Sequence, residues 1–478
     1  MHDQITIHRD EKVTWVTPRT LWYLFLILFS VASGLSLLYF DPVIVIGIVG
    51  VLLMTVTLFC YPYVGVLVYL VFEYARIPSM FPSLLPLQIG KLIVVPTVAV
   101  WLFRSAVIRK KEFVSDKVNW LMILWLVLAF SSSFFALDSK LAFSATLELA
   151  KWVVIYFLIT NLVDTIPKWQ WAMWLILLLN FKMSQFQIRG FFAGFGMVDD
   201  KDFFIAQGVG VGSYAYFTNA TDFGAAICVV APFAIYLIRA VKSNVLKTAG
   251  LIFFLCFTIS VLLCGSRGAT LALFVMALFF WFKSSQKLLI GFLIALFAIS
   301  FFVSAPPAWK SRFRSALEYQ QDPNASSRIK FWKAGIKMFV DHPVTGVGIN
   351  NFGRNYAARY GEAGERTKPW APHSIFVQAG SELGLLGLLN FFAILYLIFK
   401  RNHKTRKMYQ EYGLCNNWIP NFAHALDLSL VGFIVAGTFL TILYYPHLYI
   451  IMILAISLNH VTKRLAASDK NLRLDDKK

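Results

Sequence analysis

Apolar runs long enough to cross a bilayer recur along nearly the whole chain, separated by short polar breaks. That pattern leaves few ways to fold, because a helix needs about 20 apolar residues to span the hydrocarbon core. Runs at 21–40, 43–60, 62–77, 86–104, 118–136, 141–160, 169–189, 217–239, 246–264, 268–283, 287–304, 374–400, 424–443 and 445–462 come close to this requirement. Several are short or closely joined, so the expectation is about 12–14 transmembrane helices. In lipid the backbone must satisfy its own polar groups, which favours helices over open strands. Composition agrees: 58% of residues are hydrophobic and only 14% are charged, against about 25% charged in soluble domains. A soluble chain of this length could not hide so much apolar surface. The expected fold class is an all-α polytopic membrane protein with one long loop containing short amphipathic helices.

The charges test this topology. The net charge of +19 would raise nucleic acid as a partner in a soluble chain. Here it is read as cytoplasmic Lys and Arg, and no nucleic-acid partner is expected. The clusters at Arg104–Lys117, Arg239–Lys247, Lys283/Lys287 and Lys400–Lys407, and the tail from Lys463, all fall on one side if fourteen spans alternate from an inside N-terminus. The connectors at 39–41, 78–86 and 444–446 then lie outside and carry no Lys or Arg. This predicts a cytoplasmic N-terminus at 1–20, a bundle at 21–304, an outer loop at 305–373, C-terminal helices at 374–462 and a cytoplasmic tail at 463–478. The polar stretch before residue 20 lacks a small-residue cleavage site, so the first helix is expected to insert and stay. The cysteines at 60, 228, 256, 264 and 415 form neither a CxxC nor a Cys/His pattern, so no metal is expected.

The loop at 305–373 breaks the charge rule. It carries eleven Lys/Arg residues against five acids, on the outer side. A basic surface there points to an anionic ligand. Within it, 326–340 has the spacing of an amphipathic helix, with Ile329, Trp332, Ile336 and Phe339 on one face and Lys330, Lys333 and Lys337 on another. The apolar face is expected to rest on membrane lipid. Gly346-Val347-Gly348 after the helix reads as a tight turn, since no strand–turn–helix context supports a nucleotide loop.

Three positions carry candidate chemistry. Arg267, in Gly265-Ser266-Arg267-Gly268 between two apolar segments, either snorkels to the outer interface or grips a phosphate with its planar fork. Arg328 lies in the basic loop. His373, in Pro372-His373-Ser374, opens a long apolar segment bearing Glu382 and Gly384. A helix N-terminus and nearby arginines both disfavour imidazolium, so His373 should be neutral and able to accept a proton. Arg76, Lys91, Lys182 and Arg189 map to the outer halves of their helices, as if lining a shared cavity, although each taken singly reads as structural; Glu148 and Lys151, three apart on one helix, read as a simple pair within the bundle. Arg76, Lys91, Arg189, Lys330 and Arg354 complete the candidate substrate-binding set. No HExxH, GxSxG or Walker pattern is present, and no cofactor is expected.

The order Ser-Arg-Gly, Arg…Trp, His-Pro-x-x-Gly-x-Gly-x-x-x-Phe, His-Ser and Glu-x-Gly-x-x-Gly over about 260–389 resembles the O-antigen ligase and polymerase superfamily (WaaL-like ligases and Wzy-like polymerases). The resemblance implies a multi-pass glycosyltransferase of the bacterial inner membrane with its active site facing the periplasm, needing neither metal nor nucleotide. It implies a donor glycan carried on undecaprenyl diphosphate and an acceptor that is lipid A-core, protein or another glycan. Arg267 and Arg328 match the family's diphosphate-contacting arginines, and His373 its catalytic histidine, although Ser374 stands where the family often has Asn. The expected function is therefore that of an O-antigen ligase in lipopolysaccharide biosynthesis. A polysaccharide polymerase of the same superfamily is the alternative, and a lipid-linked glycan transporter a more distant one.

Overall fold

A computed structural model describes residues 42–75, 89–108, 113–192, 220–304, 323–362 and 369–475, with 30, 34 and 310. Every regular element among them is helical. We number them α1 (Pro42–Cys60), α2 (Pro62–Ala75), α3 (Ile89–Phe103, continued by a π turn at Arg104–Ile108), α4 (Lys117–Ser133), α5 (Ser139–Leu162), α6 (Ile166–Gly190), α7 (Ala220–Ala240) and α8 (Asn244–Leu263). There follow α9 (Arg267–Lys283), α10 (Lys287–Ser304), α11 (Pro323–Asp341), α12 (Phe352–Asn355, with a π turn at Tyr356–Tyr360), α13 (Ile375–Glu411), α14 (Trp418–Gly437) and α15 (Pro446–Asp475). The chain forms two compact units, Met1–Pro62, to which α1 belongs, and Tyr63–Lys478.

Among the described residues seven helices, α3, α5, α7, α8, α13, α14 and α15, are long and apolar enough to cross a membrane, and α2, α4 and α10 are shorter apolar helices. The chain is an all-α polytopic membrane protein. The expected span at 21–40 and the connector at 78–86 lie outside the described residues.

The second unit is built around α7 and α14. Helix α7 is buried almost all round and packs between α8 and α14, while α14 also takes α9, α13 and α15. Lipid gives no hydrophobic drive for helices to associate, so close approach at small residues matters more. Two glycines of α14 provide it. A Cβ on Gly432 would sit 2.5 Å from Met276 Sδ of α9, and one on Gly437 would sit 2.6 Å from Ile375 at the start of α13. Helices α9 and α13, which carry Arg267 and follow His373, are thereby both seated on α14. At the other end, Arg401 of α13 grips Asp116 before α4 at 2.7 Å, and Arg406 meets Asp427 of α14 at 2.6 Å.

Helix α11 lies in the long loop and starts with Pro323, which needs no helical N–H partner at a first position. Its buried face is Phe331, Ala334, Gly335 and Met338, packed with Val347, Phe352 and Tyr356 into a small core of its own. Burying each of the larger side chains contributes about 1.5–3 kcal/mol. This corrects the expected face in part. Trp332 and Phe339 are only half buried, and Ile336 is exposed. Helix α11 has apolar residues on two sides, and the spacing picked out the side that lies outside its small buried core.

Candidate active site

The turn carrying Arg267 follows from four consecutive residues. Gly265 adopts φ 62°, ending α8 in the left-handed conformation that glycine enters without penalty. Ser266 caps α9, its hydroxyl accepting from the Ala269 N–H at 3.3 Å. Arg267 is therefore the first residue of α9, and the space over Gly268 is bounded by Phe439.

His373 is held by its backbone. Its φ of 48° is uncommon for a residue with a side chain. Its N–H donates to Thr441 Oγ1 at 2.9 Å. Its carbonyl accepts from the Trp332 indole at 3.4 Å, and its ring packs on Phe331 with centroids 5.7 Å apart. Ser374 then caps α13, its Oγ accepting from Val377 N–H. Burial and the Arg328 guanidinium lower the imidazole pKa from 6.5 to about 4. The expected neutral imidazole is found, with burial rather than the helix terminus as the main cause.

The connector 438–445 between α14 and α15 joins the three candidates. Thr441 holds His373. Phe439 bounds the space over Gly268, beside Arg267, and its ring lies 6.2 Å from Trp332, one helical turn from Arg328. Its Tyr445 hydroxyl donates to Asp222 Oδ2 at 2.9 Å, tying in the start of α7. Sequence reading missed Thr441 and Phe439, since neither stands out in an apolar stretch.

A second feature fixes the entry of α13. At Gly384 the helix breaks, with φ 68° and ψ −165°, a region open essentially to glycine alone. The segment 343–348 takes up the released backbone groups. Leu385 N–H donates to the Pro343 carbonyl at 2.7 Å, Val347 N–H to Ser381 at 2.8 Å, and Gly348 N–H to Glu382 at 3.1 Å. The Glu382 carboxylate accepts from Asn350 N–H at 3.0 Å and Phe352 N–H at 3.4 Å. Fully buried Asn351 bonds both backbone groups of Asp138, at 2.8 and 3.1 Å. The Gly346–Gly348 stretch is a turn as expected, with both glycines at positive φ. Its task of stitching a broken helix was not visible in the spacing. The one available signal was an acid, Glu382, inside an apolar run.

Arg76 lies outside the described residues. Lys91, Lys182 and Arg189 are exposed, and among the described residues none pairs with an acid. Lys330 is paired with Glu362 at 2.7 Å and Arg354 with Asp138 at 3.3 Å. Lys151 meets Glu148 at 2.8 Å, the simple pairing their spacing suggested. A cavity of about 880 Å³ lies at the opposite end of the bundle, lined by Asp164, Lys242, Asn417 and Arg464 among others. No group of three or more His, Cys, Asp or Glu residues suited to a metal ion occurs among the described residues.

Residues 251–392 match the family model described as O-antigen ligase. Over that segment the chain is similar to the O-antigen ligase family. No curated protein matches it. The family is one of glycosyl-transfer enzymes acting on lipid-linked glycans and acceptors. The O-antigen ligase segment runs from α8 into α13 and contains Arg267, Arg328, the 342–351 turn, His373 and Gly384. Phe439 and Thr441, which hold three of these parts together, lie beyond its end.

Proposed function

We propose that the protein is a glycosyltransferase of O-antigen ligase type in the bacterial inner membrane, working on its periplasmic face. The donor is a glycan on undecaprenyl diphosphate and the acceptor a hydroxyl of lipid A-core or a similar molecule. The observation that carries this reading is a neutral imidazole clamped by its backbone beside Arg328.

In this mechanism His373 accepts the proton of the acceptor hydroxyl as its oxygen attacks the anomeric carbon. The carbon–oxygen bond to the diphosphate breaks, and undecaprenyl diphosphate leaves with the bonding electrons. Direct displacement inverts the anomeric centre. Arg267 and Arg328 neutralise charge on the departing diphosphate, a role suited to bidentate guanidinium groups. The leaving group is good enough that the protein's own cations suffice without a metal. Lys91, Arg189, Arg76, Lys330 and Arg354 are at most secondary contacts to donor or acceptor.

The test is transfer in proteoliposomes holding only this protein, lipid-linked donor and candidate acceptors. Correctly inserted His373→Ala and Arg267→Ala variants should lose transfer, and wild-type rates in either would defeat the mechanism. Glycans that lengthen on the carrier, with no transfer to core lipid or protein, would mean a polymerase.

A further inference from the structure

We infer that α11 is an interfacial helix that docks on the anionic phospholipid surface, and that the bilayer thereby sets the height of Arg328. The bilayer here is the protein's own membrane, at the end that holds the candidate site.

The side of α11 turned away from its small core is neither buried nor simply polar. Ile336 and Val340 are 59% and 67% exposed, and Val344, just past the helix end, is 68% exposed. Lys333 and Lys337 are exposed next to them along the helix. An apolar stripe bordered by lysines is the pattern of a helix lying in the headgroup region.

What covers the stripe follows from its neighbours. The Val344 carbonyl lies 2.6 Å from where a Gly384 Cβ would sit, and Leu385 is bonded to Pro343. From Leu385 onward α13 presents Leu385, Leu386, Leu389, Phe392 and Tyr396 outward. This is a surface of a membrane-crossing helix, so it faces lipid. The Ile336–Val340–Val344 stripe continues it.

Depth agrees. A hydrocarbon core of about 30 Å at about 1.5 Å per residue corresponds to roughly 20 helical residues. Counted back from Lys400, which marks the far end of the apolar run of α13, this reaches the region of Gly380. Gly384 and Val344 are then just inside the hydrocarbon boundary, and the lysines of α11 fall among the phosphates. Arg328 lies at the N-terminal end of the same rigid helix, so seating the stripe in lipid sets Arg328 at the level where a lipid-linked diphosphate must lie. This last step rests on the proposed function; the docking itself does not.

The experiment uses the full chain in liposomes. In a background with Cys60, Cys256 and Cys415 replaced by serine, a fluorophore is attached through Val340→Cys or, for comparison, Lys337→Cys. The Val340 probe should lose fluorescence with shallow brominated phosphatidylcholine and resist aqueous iodide, and the Lys337 probe should do the reverse. Adding phosphatidylglycerol should deepen the Val340 quenching, and the Lys333→Gln/Lys337→Gln variant should lose that gain. A Val340 probe open to iodide overturns the docking. So does one shielded from both quenchers, because a protein then covers the face. No response to phosphatidylglycerol overturns the choice of anionic lipid. If the probe sits in lipid but Ile336→Ser/Val340→Ser transfers at the wild-type rate, the link to Arg328 is overturned. A chain with its probe in lipid that transfers nothing overturns only the proposed function.

Discussion

Replacing Gly384 with alanine isolates the lock between the long loop and α13. The residue sits at φ 68° and ψ −165°, where a side chain costs about 1–3 kcal/mol in backbone strain. The new Cβ would also lie 2.6 Å from the carbonyl oxygens of both Pro343 and Val344. These are backbone atoms, so the 343–348 segment must withdraw. Withdrawal breaks the Leu385–Pro343 bond of 2.7 Å and loosens the Val347–Ser381 and Gly348–Glu382 bonds. Each buried group left without a partner costs about 1–3 kcal/mol. With one bond lost the total is about 2–6 kcal/mol, a large share of a typical 5–15 kcal/mol of stability. If α13 straightens instead, alanine regains about 1 kcal/mol of helix propensity but forfeits all three bonds. Thermal unfolding in detergent, followed by labelling of the buried thiols Cys228 and Cys264, reads the loss. The control is Gly380→Ala, whose Cβ meets Phe339 at an ordinary 3.5 Å. Gly384→Ala should label several degrees earlier and transfer poorly, while Gly380→Ala stays at or above wild type. Equal melting of the two would refute the lock.

Further outcomes follow from the same geometry. His373 has a folded pKa of about 4 against 6.5 in the unfolded chain, so the unfolded state binds more protons between those values. Its contribution is complete above pH 6.5 and is lost as the pH falls toward 4. Wild type should therefore lose stability relative to His373→Gln across that window, and the acid limb of transfer should fall near pH 4 rather than 6.5. Thr441→Val removes the acceptor of the His373 N–H and should cost about 1–3 kcal/mol, with kcat falling more than KM changes. Trp332→Phe keeps the ring but loses the indole bond to the His373 carbonyl. It should destabilise by about 1 kcal/mol and slow transfer, which a rate comparison at saturating donor would detect. Arg401→Met leaves Asp116, nearly buried, without its partner. This should cost about 3–5 kcal/mol in thermal unfolding, while turnover of the folded fraction is unchanged.

The sequence by itself determined the fold class and singled out the three candidate residues, Arg267, Arg328 and His373. Its reach came from signals written locally. Apolar run length reports on the bilayer, and Gly265-Ser266-Arg267 states a helix stop and start in consecutive letters. Pro323, and His342-Pro343 after the helix, bracket α11 in the same way. The tertiary structure decided how these pieces meet. Which side of α11 is buried depended on Val377 and Phe352 closing over Gly335, contacts between segments that no periodicity records. The outward cations Lys91, Lys182 and Arg189 shared a depth in the sequence, yet depth fixes only one coordinate, and in the fold each is exposed, with no acid paired to it among the described residues. Thr441 and Phe439 act through a backbone N–H and a ring face more than 60 residues from the groups they hold. Long-range contacts of that kind are set by how α9 and α13 seat on the small residues of α14, so they became legible only once the bundle was assembled.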